Sequence, residues 1–433
     1  MMNLQILALK FTLKWMIVCT IVGAIVGSAS AFFLVWLDWA THYREQHTWI
    51  IAFLPIAGWV VGSLYYYWGA DIAKGNNQLI EELQQPQSVI SLKMMPFILL
   101  TTVITHLFGG SAGREGTAVQ MGGALADQVN KWNRWLDNVF FLKKLSLKNL
   151  ALDNAEQKLN RKIILLAGIS AGFASVFGTP LAGTVFALEV AIIGKMRYEA
   201  ILPSLLSAVV ADYVCQDIWH VGHTHYFIAE IPKLLPQTII WSILAGLCFG
   251  LMGLFFAQIT HFWSNIFKNK IAYPPLRPVI AGSIIAILVW LLGSQRYIGL
   301  GVPVIVESFT QPLPVYDFLA KTFFTSLTLG AGFKGGEVTP LFYIGATLGN
   351  TLAHIIPLPV SLLAGMGFVG VFSGASNTPL ACTLMGIELF GIEAGVYIAI
   401  ACIVAYVFSG TMGIYASQVV GVPKVARHDT DYL

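Results

Sequence analysis

Four runs of the chain, 11–38, 48–69, 235–264 and 277–296, stay apolar for about twenty residues or more. A spanning helix needs roughly 20 apolar residues to cross a bilayer core about 30 Å thick. Lipid offers no hydrogen-bond partner to the backbone, so only helices and closed barrels cross it. The short alternating segments of a barrel are absent. The expected fold class is therefore all-α: a polytopic membrane protein. Composition agrees, with 56% hydrophobic and 11% charged residues, against roughly 25% charged in soluble domains.

Other apolar runs are shorter and cut by Gly or Pro: 89–108, 117–129, 163–178, 180–194, 318–331, 340–356, 358–374, 379–391 and 393–410. Short, broken helices in a membrane protein mark irregular backbone around a binding site. The longest hydrophilic stretch, 131–162, is rich in Lys and Arg, so the positive-inside rule makes it a cytoplasmic linker. Within it Trp132, Trp135, Phe140, Phe141 and Leu145 read as an interfacial helix and loop. Lys195 and Arg197 suggest that the 163–194 pair returns to the same side, as a re-entrant hairpin. Lys10 and Lys14 precede a run too long for a cleavable signal peptide. The whole of 1–433 reads as one membrane transport domain, with no separate soluble domain.

Several function classes fall away. A net charge of +3 is too slight to suggest nucleic acid. Cys19, Cys215, Cys248, Cys382 and Cys402 lie in or beside apolar runs without metal-ligand spacing, so they read as small core residues. No nucleophile–base pair or ligand cluster points to an enzyme, a metal or a cofactor.

The chemistry concentrates at Gly109-Gly110-Ser111-Ala112-Gly113-Arg114-Glu115-Gly116-Thr117. A carboxylate at membrane depth is costly and marks a functional path. The glycines precede a helical pattern from Thr117 onward, and free N–H groups with the helix dipole make a helix N-terminus an anion site. Glu115 would then be a titratable competitor built into that site. The chain also repeats itself. Thr179-Pro180-Leu181-Ala182, followed by Glu189, is echoed by Thr378-Pro379-Leu380-Ala381, followed by Glu388. Gly113-Arg114-Glu115-Gly116-Thr117 is echoed by Gly335-Gly336-Glu337-Val338-Thr339. Repeat one covers about 48–215 and repeat two about 277–415, an arrangement of transporters that bind substrate between their halves. Glu189 and Glu388 end helices, where negative charge is disfavoured, so each should find a cationic or N–H partner.

These motifs resemble the CLC family of anion channels and anion/proton antiporters. Residues 113–117 are similar to its G-[KR]-E-G-P, residues 335–340 to its G-G-x-F-x-P, and Phe177 to Glu189 to its helix with a G-x-P-L-A-G core. The resemblance implies two inverted-topology repeats of short, tilted helices, a homodimer in the lipid bilayer, and a bacterial inner (plasma) membrane location. It implies Glu115 as gate and proton carrier, and an anion site drawn from Asn76, Asn77, Gly113, Gly116, Val338, Thr339 and Tyr415. Tyr406 competes with Tyr415 but lies deeper in an apolar helix. Arg114 reads as an anchor for the loop rather than a ligand, His106 as packing, and Glu337 falls at a position that varies in the family.

The departures are informative. Gly75-Asn76-Asn77-Gln78-Leu79-Ile80 stands where chloride members carry G-S-G-I-P. Thr117 replaces a proline, Val338 a phenylalanine, Thr339 a small apolar residue, and Val190 the inner proton-relay glutamate. This set resembles the branch that exchanges fluoride for protons, in which the inner glutamate is also lacking. Fluoride holds water tightly, so its site must offer strong hydrogen bonds in exchange. The amide of Asn76 or Asn77 offers two donors where serine offers one, backbone N–H groups after Gly113 and Gly336 add more, and no lysine is needed in the path. The expected substrates are fluoride and the proton. A chloride-selective antiporter or passive anion channel of the same fold is the alternative, and an inert receptor or scaffold copy of the fold is a third reading.

Overall fold

The computed structural model describes residues 2–139 and 150–425. Sixteen α-helices lie among them, with one two-stranded parallel pairing of Ile192–Ile193 with Val419–Val420. In order they are α1 Met2–Gln46, α2 Leu54–Trp68, α3 Asn76–Gln84, α4 Met94–Leu107, α5 Glu115–Val139, α6 Leu150–Phe177, α7 Pro180–Glu189 and α8 Ile201–Tyr213. The second set is α9 Pro236–Lys270, α10 Leu276–Leu292, α11 Val302–Glu307, α12 Asp317–Gly330, α13 Val338–Leu352, α14 Val360–Ser376, α15 Pro379–Phe390 and α16 Gly395–Phe408.

The two sets correspond helix by helix in their packing. α5 lies on α6 as α13 lies on α14, α1 on α8 as α9 on α16, and α4 on α5 as α12 on α13. Equivalent helices of the two sets also touch each other: α2 with α10, α7 with α15 and α5 with α13. Sequence boundaries near 48 and 277 leave α1 and α9, the first member of each set, outside the repeat. Small residues permit the closest crossings. A Cβ on Gly168 would stand 2.5 Å from the carbonyl oxygen of Gly122, and one on Gly367 would stand 2.0 Å from that of Gly345. The α5–α6 and α13–α14 seams therefore need glycine at matching places.

The α7–α15 pair shows the inversion. Glu189, at the end of α7, accepts from the N–H groups of Leu380 and Ala381 at the start of α15. Glu388, near the end of α15, accepts from Leu181 and Ala182 at the start of α7. Each helix end meets the start of the other, so the two run antiparallel, and both carboxylates find the N–H partners expected of them.

Boundaries differ from the hydropathy reading for physical reasons. Among the described residues, five helices are long and apolar enough to cross a membrane: Thr12–Gln46, Thr48–Trp68, Ala155–Phe177, Tyr198–Ile218 and Pro236–Lys270. The run 277–296 gives only the 17-residue α10, which stops at Gly293 in a left-handed conformation. The polar stretch 131–162 is largely helix, because α5 continues to Val139 and α6 begins at Leu150; charged side chains end an apolar run without ending a helix. Phe140, Phe141 and Leu145 lie outside the described residues. The outward leg of the 163–194 pair is thus the second half of a 28-residue helix rather than one arm of a free-standing hairpin. Its two ends do come together: Lys162 donates to the Gln84 carbonyl, and Gln84 donates to Ala191. The hydropathy reading did not single out α8 or α11.

Candidate functional site

The starts of α5 and α13 meet at the centre of the molecule. The loop before α5 is held from several directions: the Ser111 hydroxyl donates to the Tyr297 carbonyl, and the Ser111 N–H donates to Thr328. Gly113 and Gly336 then exchange both backbone hydrogen bonds, at 2.6 and 2.8 Å, as an antiparallel bridge. Neither glycine has room for a side chain, since a Cβ on Gly336 would stand 2.8 Å from the Gly116 nitrogen. This corrects one expectation. The N–H of Gly113 is committed to Gly336 and is not a donor for an anion. The N–H groups of Gly116 and Thr117 in the first turn of α5, by contrast, have no carbonyl partner among the described residues, as the first turn of a helix dictates.

Glu115 is fully buried and its carboxylate turns toward the other helix start. It accepts from the Thr339 N–H at 3.0 Å, from the Thr339 hydroxyl at 2.5 Å and from the Arg114 N–H at 3.1 Å. The Arg114 side chain lies beside it, with Nε 3.5 Å from the carboxylate. The side chain thus sits where the free N–H groups and positive dipole end of α13 favour negative charge. Thr117, in place of the family's proline, bonds through its hydroxyl to Thr102 at 2.8 Å. His106 packs beneath, its Nε2 3.4 Å from the Gly113 carbonyl and its Nδ1 without a partner among the described residues. Arg44 braces the same loop by donating to the His106 carbonyl.

Two cavities border neighbours of this carboxylate, Arg114 in one and Asn76 and Glu337 in the other, while Glu115 itself lines neither. A cavity of about 360 Å³ includes Arg44, Arg114 and Arg296 in its wall. Another of about 320 Å³ includes Asn76, Asn77, Gln120, Lys334, Glu337 and Tyr415. Between the second cavity and the core lies a pocket of about 10 Å³, walled by Asn76, Leu79, Ile80, Val119, Ile169, Phe186, Val190 and Tyr415. That volume is about that of one water, and the wall is almost wholly apolar, with the Asn76 amide and the Tyr415 hydroxyl belonging to residues that also line the larger cavity. Asn76 Nδ2 would stand 2.9 Å from a Cβ on Gly116, so the amide faces the first turn of α5. Neither the Asn76 amide nor the Tyr415 hydroxyl has a protein hydrogen-bond partner among the described residues. Asn77 differs, since its amide oxygen accepts from the Ser417 N–H at 3.0 Å.

The structure therefore gathers Glu115, Gly116, Val338 and Thr339 at the two helix starts, and Asn76, Val190 and Tyr415 around the small pocket. Tyr406 lies apart, under the ammonium group of Lys424, 4.1 Å from its ring centroid. Three groups escaped the sequence reading. Glu337 faces the 320 Å³ cavity, and its Oε2 has no partner among the described residues; its place in the repeated motif is a usable signal. Gln120 packs under Gly75, where a Cβ would stand 2.9 Å from its Oε1. Lysines do line the approach, as Lys74, Lys268 and Lys334, but none borders the small pocket.

Two inverted sets of helices, with a buried carboxylate where two of their starts meet, define a membrane protein of the anion-transporting class. Residues 57–410 match the family described as Voltage gated chloride channel, and the chain belongs to that family, the CLC family of channels and transporters. It is 50% identical over 429 residues to the "Chloride/fluoride channel protein" of Pseudomonas syringae pv. tomato, covering 98% of this chain and 90% of that protein. Among solved structures it is similar to a CLC-type fluoride/proton antiporter, with a TM-score of 0.86, 35% identity, and 94% and 98% of the two chains covered. A slow cyanobacterial Cl⁻/H⁺ antiporter shares the fold, with a TM-score of 0.76 at 20% identity over 93% and 96% of the chains.

Proposed function

We propose that this protein is a fluoride/proton antiporter that exports fluoride across a bacterial inner membrane, working as a homodimer with Glu115 as gate and proton carrier in each subunit. The observation that carries the reading is the buried Glu115 carboxylate bonded to the first turn of α13, with cavities that border Arg114 and Glu337. Ionised, it fills an anion position and satisfies the donors there. Protonated, it loses the charge that those donors favour, and an anion takes its place. Anion entry and proton movement are then linked through one side chain.

The choice of fluoride rests on the size of the small pocket and on the two uncommitted groups, Asn76 and Tyr415, shared between it and the larger polar cavity. A cavity of about 10 Å³ fits an ion close to water in size. Fluoride must recover its lost hydration through strong hydrogen bonds, and the Asn76 amide and the Tyr415 hydroxyl are both uncommitted. The fluoride/proton antiporter among the similar structures points the same way. Chloride remains the second reading, favoured by the words "Chloride/fluoride channel" in the name of the Pseudomonas relative.

Efflux from liposomes holding purified protein tests this, with fluoride, chloride and pH electrodes outside. Fast fluoride efflux, slow chloride efflux and opposed proton movement are expected. Comparable chloride efflux would favour the second reading. Fluoride flux that a pH gradient cannot drive uphill would make the protein a channel with Glu115 only a gate.

A further inference from the structure

The small pocket is built from opposite ends of the chain. Asn76 stands at the start of α3, a nine-residue helix, while Tyr415 lies in an irregular segment beyond α16. Neither element is rigid by itself at this point: a helix of two and a half turns is short, and the segment from Ser409 to Gln418 has no ladder of its own. Something must fix the distance between the two donors.

Ser417 lies two residues from Tyr415, and all three of its polar groups bond to α3. Its N–H donates to the Asn77 amide oxygen at 3.0 Å, its hydroxyl donates to Glu81 at 3.0 Å, and its carbonyl accepts from Gln84 at 2.8 Å. Gln418 extends the contact, donating to the Val190 and Ser376 carbonyls at 2.8 Å each and accepting from Asn377. Val190 borders the same pocket. The parallel pairing of Ile192–Ile193 with Val419–Val420 follows immediately.

We propose that Asn77 and Ser417 form a clasp that sets the register of Asn76 against Tyr415 and thereby the size of anion that the pocket selects. Asn77 is then a positioning residue, and Asn76 alone of the asparagine pair is a ligand. This rests on the reading of Asn76 and Tyr415 as an anion site. A merely structural role for the clasp would slow both anions together, whereas a change in pocket dimensions alters their ratio.

The test is the ratio of fluoride to chloride efflux from proteoliposomes holding the full chain, in variants checked for monodisperse assembly. Asn77→Leu keeps the shape and removes the acceptor; the ratio should fall about tenfold, equivalent to 1.4 kcal/mol of lost discrimination. Asn77→Asp keeps the acceptor, and its added charge acts on both halides alike, so the ratio should stay within about twofold. An unchanged ratio in Asn77→Leu overturns the clasp. Should Asn77→Leu fail to assemble, Asn77→Ala removes the same acceptor with less bulk. A ratio lowered about tenfold then supports the clasp, and an unchanged one overturns it. Asn76→Ala and Tyr415→Phe separate the two levels. If neither alters transport of either anion, the site reading itself fails; if they do and Asn77→Leu or Asn77→Ala leaves the ratio unchanged, only the clasp fails.

Discussion

The Thr339 hydroxyl lies 2.5 Å from the Glu115 carboxylate, and the Thr339 N–H lies 3.0 Å from its other oxygen, so one residue of α13 grips both oxygens of a side chain 224 positions away. Hydrogen bonds to a charged group are worth about 1.5–3 kcal/mol each. Thr339→Val removes the hydroxyl bond and leaves the backbone one. The carboxylate then competes less well for its place, so half-saturating fluoride should fall about tenfold or more. Initial efflux rates against fluoride concentration check this, and an unchanged or raised half-saturation would show that the hydroxyl does not hold the gate shut.

Glu115→Gln keeps the shape of that side chain and removes the proton site. Fluoride movement should become insensitive to a pH gradient, and the proton signal should vanish. Coupled exchange that persists in this variant would remove Glu115 from the proton path.

Gly336→Ala tests the bridge between the two helix starts. Its Cβ would stand 2.8 Å from the Gly116 nitrogen, and backbone on both sides cannot swing away as a side chain would. Transport should drop by an order of magnitude or more, since a misplacement of about 1 Å at a reacting centre costs on the order of a hundredfold. Assembly in detergent should survive; wild-type transport in this variant would mean that the bridge is loose.

Arg161 is a heavily committed buried charge away from Glu115. It bonds to both Asp127 oxygens, to Glu82 and to the Ser88 carbonyl, tying α3, α5 and α6 together. Removing one partner of such a network strands the others, at a cost of about 3–5 kcal/mol. Arg161→Met should lower the thermal unfolding midpoint markedly. A shift no larger than that of an exposed substitution such as Lys233→Met would show that the carboxylates find other partners.

The reciprocal caps of Glu189 and Glu388 carry a paired prediction. Glu189→Gln and Glu388→Gln should each destabilise by about 1–3 kcal/mol, measured in the same melts. The two losses should differ little if the repeat is a structural one. A large loss from one and none from the other would mean that the symmetry is only geometric.

Much of this protein was legible in its sequence because lipid simplifies the problem. Runs such as 11–38 and 235–264 have few alternatives to helix in a bilayer, and Gly113 to Thr117 announces a charged helix start that a membrane would not tolerate idly. The repeated Thr-Pro-Leu-Ala segments and their later glutamates also foretold N–H partners, because helix ends dictate that electrostatics. Hydropathy could not reveal that α5 and α6 run on through a polar stretch, since helical hydrogen bonds do not depend on apolar side chains. Nor could it show that the Gly113 N–H is committed to Gly336, or that Asn77 bonds to Ser417 while Asn76 remains free. Those outcomes depend on which segments, hundreds of residues apart, arrive at the same place. Local sequence determined which groups seek partners, and only the tertiary structure decided which partners they found.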